Sequence, residues 1–312
     1  MSAEVETMFY TGRQKPWHGL GVQVEEALSS EEALVKAGLN WKVIQQPIVT
    51  KDGILIEGYK ANIRDTDNKV LGVVTDRYKV VQNDEAFAFT DELLGKGIRY
   101  ETAGSLFDGK KTWLLAKLPS AYIIAGDRIS PYLVFSNTHD GSASIKVAMS
   151  PIRVVCNNTL CLALQNADRI WTTTHKGEMS QKLSDAHETL FRAEEYMDKL
   201  GNEIYQLNKQ MITDELVTEM INELLPIPSD ATELQEKNVQ RLREDITIRF
   251  YYAPDLQSLP MNAYRFVNAV SDFATHAKPL RETSNYRESL FDRTIGGNPL
   301  IDKSYQLVKQ IA

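Results

Sequence analysis

The hydrophobic pattern of this chain changes period once, near Gly177, and that change limits the fold more than any other feature. Before it, apolar residues come in short alternating runs with Asp-Gly turns between several of them; after it, they recur at spacings of three and four. Alternation with hairpin turns builds antiparallel sheet, and spacing of three and four builds helices with one apolar face. The expected fold class is α+β: an antiparallel-sheet-rich α+β domain over 1–176, followed by a helical domain over 177–312. A long helix at the boundary would belong to both parts.

Individual elements follow from local signals. "SSEEALVKAG" reads as a short helix, with Ser29 and Glu32 forming a capping box and Gly38 placed to end it. "WKVIQQPIV" and "ILIEGYKANI" are strands joined through "TKDG", and "VLGVVT" continues their sheet. Asn83 caps a helix through "EAFAFTDELL", and a second hairpin turns at Asp108-Gly109. "YLVFS" and "SIKVAMS" flank the turn "NTHDGS"; in the latter run Ile145, Val147 and Met149 share one face, and Ser144, Lys146, Ala148 and Ser150 share the other. One face is expected in the core and the other open, small, polar and positive. A helix over Leu160 to Ala167 is expected next, and "RIWTTTHK" as an extended segment places Arg169, Trp171, Thr173 and His175 on one side. Further on, "LSDAHETLFRAEEYMDKL", "DELVTEMINELL" behind Thr213, "MNAYRFVNAVSDFATHA" and "NPLIDKSYQLVKQIA" read as helices.

Charge is distributed unevenly along the chain. The formal net charge is −7, yet residues 110–176 carry eight basic side chains against three acidic ones, while 178–245 carry seven against sixteen. A basic stretch followed by an acidic one suits a polyanion-binding face with a separate acidic module, or two solvated faces of opposite sign. The opening residues lack a basic start followed by an apolar run, and no stretch reaches the length of a membrane span, so a cytoplasmic protein with no membrane partner is expected. Cys156 and Cys161 lack the second ligand pair of a zinc site and read as small buried thiols.

Three constellations invite chemistry. His139 beside Asp140 has the residue types of a general base and its orienting carboxylate, but neighbours in a turn point apart, and Asn-Thr-His-Asp-Gly is also the composition of a polar hairpin tip. The second is Asp272 and His276, four apart on a helix with Asn268 and Tyr264 in line. They are candidate metal ligands with Arg281 and Arg287 behind them; the alternative is an ion pair at a helix C-terminus. No third ligand shows in the sequence, and no metal or cofactor is expected. The third, "FYTGRQKPWHGLG", mixes Phe9, Tyr10, Trp17 and His18 with Arg13 and Lys15; such a mix suits single-stranded nucleic acid, or an arm that docks its aromatics on the domain or on a neighbouring subunit. Its glycines lack dinucleotide-loop spacing, and no Walker-type loop occurs.

The stretches "ETMFYTGRQKPWHGLG", "LGVVTDRYKVVQNDEAF", "RYETAGSLFDGKKTWLLAKLP", "PYLVFSNTHDGSASIKVAMSPIRVVCNNTL" and "NAYRFVNAVSDFATH" resemble the phage/plasmid-like family whose shared domain has no known function. The resemblance implies a gene carried by phages, prophages or plasmids and a product working in the bacterial host cytoplasm; it hands over no catalytic residues. A basic hairpin feeding a helix, over Ile145 to Ala167, is also similar in layout to phage single-strand-annealing recombinases, which form rings and bind DNA backbone in a positive groove.

Together these readings predict a non-enzymatic, homo-oligomeric nucleic-acid-binding protein, with single-stranded DNA the favoured partner, acting in recombination or replication. Lys110, Lys111, Lys146, Arg153, Arg169 and Lys176 are the expected phosphate contacts, and Trp171 or Trp17 the stacking ring. The alternatives are a phage protein that inhibits a host defence factor through its acidic part, and a metal-dependent nuclease built on Asp272 and His276.

Overall fold

The computed structural model describes residues 5–11, 22–94, 99–118, 122–124, 126–153, 162, 164, 169–177, 179–280, 289, 293 and 296–311. Among these residues the N-terminal part is mainly strands, mostly antiparallel, and the C-terminal part is helical, giving the mixed α+β arrangement that the two periodicities predict. The chain divides into two compact units, and neither is continuous in sequence. The first comprises 1–119, 132–149 and 169–192; the second comprises 120–131, 150–168 and 193–312.

An eight-stranded sheet contains β1 (Val5–Thr11), β2 (Val22–Val24), β6 (Arg99–Leu106), β7 (Lys111–Lys117), β8 (Tyr122–Ile124), β9 (Asp127–Thr138), β10 (Ile145–Arg153) and β11 (Ile170–Thr173). Its order is β11-β10-β9-β7-β6-β1-β2, with β8 pairing β9 off this path. The first unit also holds a three-stranded antiparallel sheet of β3 (Val43–Val49), β4 (Leu55–Arg64) and β5 (Val70–Thr75). Two short helices accompany it, α1 (Ser30–Lys36) and α2 (Asn83–Leu94). Helix α1 starts on the expected capping box, with the Glu32 carboxylate accepting from the Ser29 backbone N–H at 3.0 Å. Apolar side chains from both sheets and both helices, among them Phe9, Leu39, Leu71, Phe87, Leu114 and Phe135, form one buried cluster. Burial of a side chain of that size is worth about 1.5–3 kcal/mol, so this cluster supplies the driving force that holds the sheets and helices of the unit together.

Helix α3 (Met179–Lys209) begins in the first unit and ends in the second, so the division falls within it, between 192 and 193, and not at 177 as the change of period suggests. The second unit continues with α4 (Asp214–Leu224), α5 (Glu233–Tyr252), α6 (Ala263–His276) and α7 (Pro299–Gln310). Thr213 caps α4 by accepting from Leu216 N–H, as its position predicts. Helix α6 is buried along most of its length and packs on α5 and α7. Its Arg265 is buried because its guanidinium donates to the carbonyls of Phe250, Leu259 and Tyr251 at 2.7, 2.9 and 3.1 Å. Tyr264 on the same helix donates to Asp127 at 2.8 Å within this unit.

Two local expectations are changed by the structure, and one helix has no counterpart among the expected elements. Phe9 and Tyr10 belong to strand β1 and lie in the interior, where β1 pairs with β6 and, in parallel, with β2; of the two uses expected for these rings, they are docked on the domain and not open to nucleic acid. Strand β10 is covered on both faces: Ala148 and Ser150 are as buried as Val147 and Met149, so the small polar face is not open. Helix α5 carries few apolar residues and buries only Ile246 and Phe250, which leaves the helical spacing there without a signal. Trp17, Cys156, Cys161, Arg281 and Arg287, and the helix expected over 160–167, lie outside the described residues apart from Leu162 and Leu164.

Candidate nucleic-acid interface

Two histidines and several side-chain amides form a buried polar seam in the first unit. His139, at the end of β9, is wholly buried and held from three sides. Its backbone N–H donates to Lys110 O at 2.7 Å, its carbonyl accepts from Asn62 Nδ2 of β4 at 2.6 Å, and its Nε2 lies 3.1 Å from Asn83 Oδ1 at the start of α2. Asn83 spends its Nδ2–H on Leu39 O at 3.0 Å, so its oxygen faces the ring and His139 Nε2 carries the proton. Trp41 meets the ring edge-on at 5.3 Å. The Tyr78 hydroxyl donates to the neighbouring Thr138 carbonyl, and Asn137 donates to Val81 O at 3.1 Å.

This arrangement settles what His139 and Asp140 do. Asp140 turns away from the ring and accepts from Ser142 N–H at 2.9 Å, which closes the turn. The same turn is pressed onto the three-stranded sheet at Gly72, where a Cβ would come within 2.5 Å of Asp140 Cα. Burial, with a smaller contribution from the charge of His175, pushes His139 down to about pKa 3. A neutral imidazole with no carboxylate on it and no exposure to solvent is a keystone between β4, α2 and the β9–β10 turn, not a general base.

His175, just past β11, ties this seam to the surface. Lys79 N–H donates to His175 O at 2.7 Å, and His175 Nδ1–H donates back to Lys79 O at 3.1 Å. The ring stacks on Tyr78 at 4.4 Å, and burial lowers its pKa. This two-way bridge joins segments 96 residues apart and brings Arg77 and Lys79, both exposed, beside exposed Lys176. Lys182, on the first turns of α3, folds over the same junction and donates to the carbonyls of Thr174, at 2.7 Å, and Lys176. Among the described residues, Arg77, Lys79 and Lys176 have no ion pair. Tyr59 on β4, half exposed, pairs in register with Thr75, two residues before Arg77.

The residues singled out from sequence are scattered by the same architecture. Lys176 belongs to the exposed basic group, and Lys110 and Lys146 are partly exposed. Lys146 pairs with Thr172 across β10 and β11, whereas Trp171 pairs with Val147 on the opposite face and packs against the core. Trp171 is therefore partly buried against the core, on the far side of the strand from Lys146. Lys111 and Arg169 are only 5% and 9% exposed, and Arg169 donates to Met149 O at 3.3 Å. Arg153 sits at the end of β10, and its side chain lies outside the described residues. Arg77, Lys79 and Lys182 were missed, because only the tertiary bridge at His175 places them together.

In the second unit Asp272 is engaged chiefly by an arginine. The Asp272 carboxylate takes the Arg249 guanidinium, which Asp245 also holds at 2.8 Å, and His276 stands 3.9 Å away. Among the described residues no three His, Cys, Asp or Glu side chains converge as ligands, and no helix is long and apolar enough to cross a membrane.

The fold and this surface define a mixed α+β protein with a basic patch built on a buried histidine seam. Residues 70–294 match a family described as a domain of unknown function, DUF932, and the chain belongs to that family. No curated protein and no solved structure matches it.

Proposed function

We propose that this is a non-catalytic nucleic-acid-binding protein of phage or plasmid origin, and that it engages single strands through the patch at Arg77, Lys79 and Lys176. The observation that carries this reading is the His175–Lys79 bridge, which holds at one junction three exposed cations that have no ion pair among the described residues. Cations that lack protein partners are available to phosphates, and each contact releases condensed counterions. Tyr59 supplies an exposed ring near the same junction, the second component of a single-strand site. Lys110 and Lys146 extend the positive surface of this unit.

The test is fluorescence anisotropy with labelled single- and double-stranded oligonucleotides of about 20 nucleotides, the length several stacking sites require. Tyr59→Ala is expected to weaken single-strand binding roughly tenfold, the loss of one stacked base at about 1–3 kcal/mol, with duplex binding little changed. Absence of binding to either strand form at low salt would refute the proposal.

A further inference from the structure

The three-stranded sheet turns an apolar face to solvent. Ile44, Val70 and Val73 are exposed on it, and the pairs Ile44–Ile63 and Ile63–Val70 run as one aliphatic row across all three strands. Its opposite side, with Val43, Leu71 and Val74, faces the core. Single exposed aliphatics need no explanation, but a contiguous row on a sheet marks a contact surface.

The same sheet also projects an arm. Pro47 pairs with Lys60 and Ile48 with Ile56, so Glu57, Gly58 and Tyr59 bulge out of β4, with Gly58 at φ +79°. Beyond this bulge every residue from 49 to 58 is exposed, including Val49, Ile54, Leu55 and Ile56. A two-stranded ribbon with nothing behind it is marginal in water, and one tipped with four aliphatic side chains has a strong incentive to pack on a second surface.

The edge of β3 narrows the choice of occupant. Gln82 clasps Val43, accepting from its N–H and donating to its carbonyl at 2.9 Å each, and Pro47 has no N–H to offer. An edge blunted at these two positions is a poor template for an added strand, which leaves the apolar face and the arm as the larger contact surface. The arm carries charges of both signs, Lys51 against Asp52 and Glu57, which suits neither a polyanion nor an anionic bilayer. Each copy owns both the projecting apolar arm and the receiving apolar face, which is the self-complementarity of an isologous pair.

We propose that the arm Val49–Ile56 of one copy packs on the Ile44–Ile63–Val70 row of a second copy, making a two-fold dimer. This pairing shares Tyr59, at the bulge, with the proposed single-strand site but uses none of its cations. The test is sedimentation velocity on the full chain over about 1–100 μM, the range expected of a modest interface. Wild type is expected to sediment as a dimer, and Leu55→Glu on the arm and Val73→Glu on the face are each expected to halve the mass with an unchanged thermal melt. Because both side chains are solvent-exposed, loss of folding is not the expected route. A monomeric wild type throughout the range, or two variants that remain as dimeric as wild type, would overturn the proposal. Nucleic-acid binding that survives in Leu55→Glu, or is absent in wild type, bears on the basic patch and leaves the dimer test unaffected.

Discussion

Acidification should destabilise the first unit through His139 in a way that one substitution can isolate. The unfolded imidazole titrates near 6.5, and the folded one is held down to about 3 by burial first and by His175 second. Above the unfolded value both states are neutral and the histidine adds no pH dependence. Below it the unfolded chain takes up a proton that the folded chain refuses, and stability falls by about 1.4 kcal/mol per pH unit until the folded value is reached. At pH 5 the loss from this residue alone is about 2 kcal/mol, and the lowered pKa of His175 acts in the same direction. Carboxylates also titrate in this window, so the informative quantity is the difference between wild type and His139→Gln, whose amide can still donate to Asn83 but does not ionise. Urea unfolding from about pH 8 to about pH 5 provides it. The variant is expected to be less stable at neutral pH and to lose about 2 kcal/mol less than wild type on acidification. Parallel curves would mean that His139 titrates as a solvated residue, and the keystone role would be wrong.

Two further outcomes test the packing. Gly72→Ala would drive a Cβ against the Asp140 backbone and is expected to cost about 1–3 kcal/mol in urea unfolding; a neutral effect would show that the β9–β10 turn is not seated on β5. Asp272→Asn should destabilise the second unit by about 1–3 kcal/mol through the loss of Arg249's second carboxylate, and added zinc or manganese should leave the melt of wild type unchanged. A metal-induced rise in wild type that is absent in the variant would restore the ligand reading.

Local chemistry made much of the fold legible. The capping box at Ser29, the Thr213 cap, the Asp-Gly hairpins and the apolar run "VLGVVT" that continues their sheet are signals carried within a few residues, and each sits where it was expected. Helix α5 had its own start signal, Thr232 with Gln235, but a solvated helix with two buried side chains lacks the apolar period that would have extended it. Strand β10 misled for the opposite reason. Alternation of small polar with apolar residues usually marks one wet face, yet serine and alanine are small enough to be buried when a second layer covers the strand.

The candidate site was the least legible part, because it is made by contacts of long sequence separation. Lys176 was found by its charge, but nothing near it names Lys79 as its neighbour; that follows only from a histidine ring reaching a carbonyl across the unit. Likewise, Asn62 reads as an ordinary polar residue in a strand until its amide is seen to hold the backbone of His139. Trp171 shows the limit of composition, since an indole beside cations looks like a stacking platform until the register with Val147 turns it to the core.

The central claim is tested most directly by the salt dependence of single-strand binding in wild type and in the double charge reversal Arg77→Glu, Lys79→Glu. Each phosphate contact on a single strand contributes about −0.7 to the slope of log affinity against log salt, so wild type with three contacts should show a slope near −2. The variant should bind more weakly at every salt concentration, with the slope reduced by about 1.4. Equal affinities and equal slopes in the two proteins would contradict the account, because the cations gathered by the His175 bridge would then touch no phosphate.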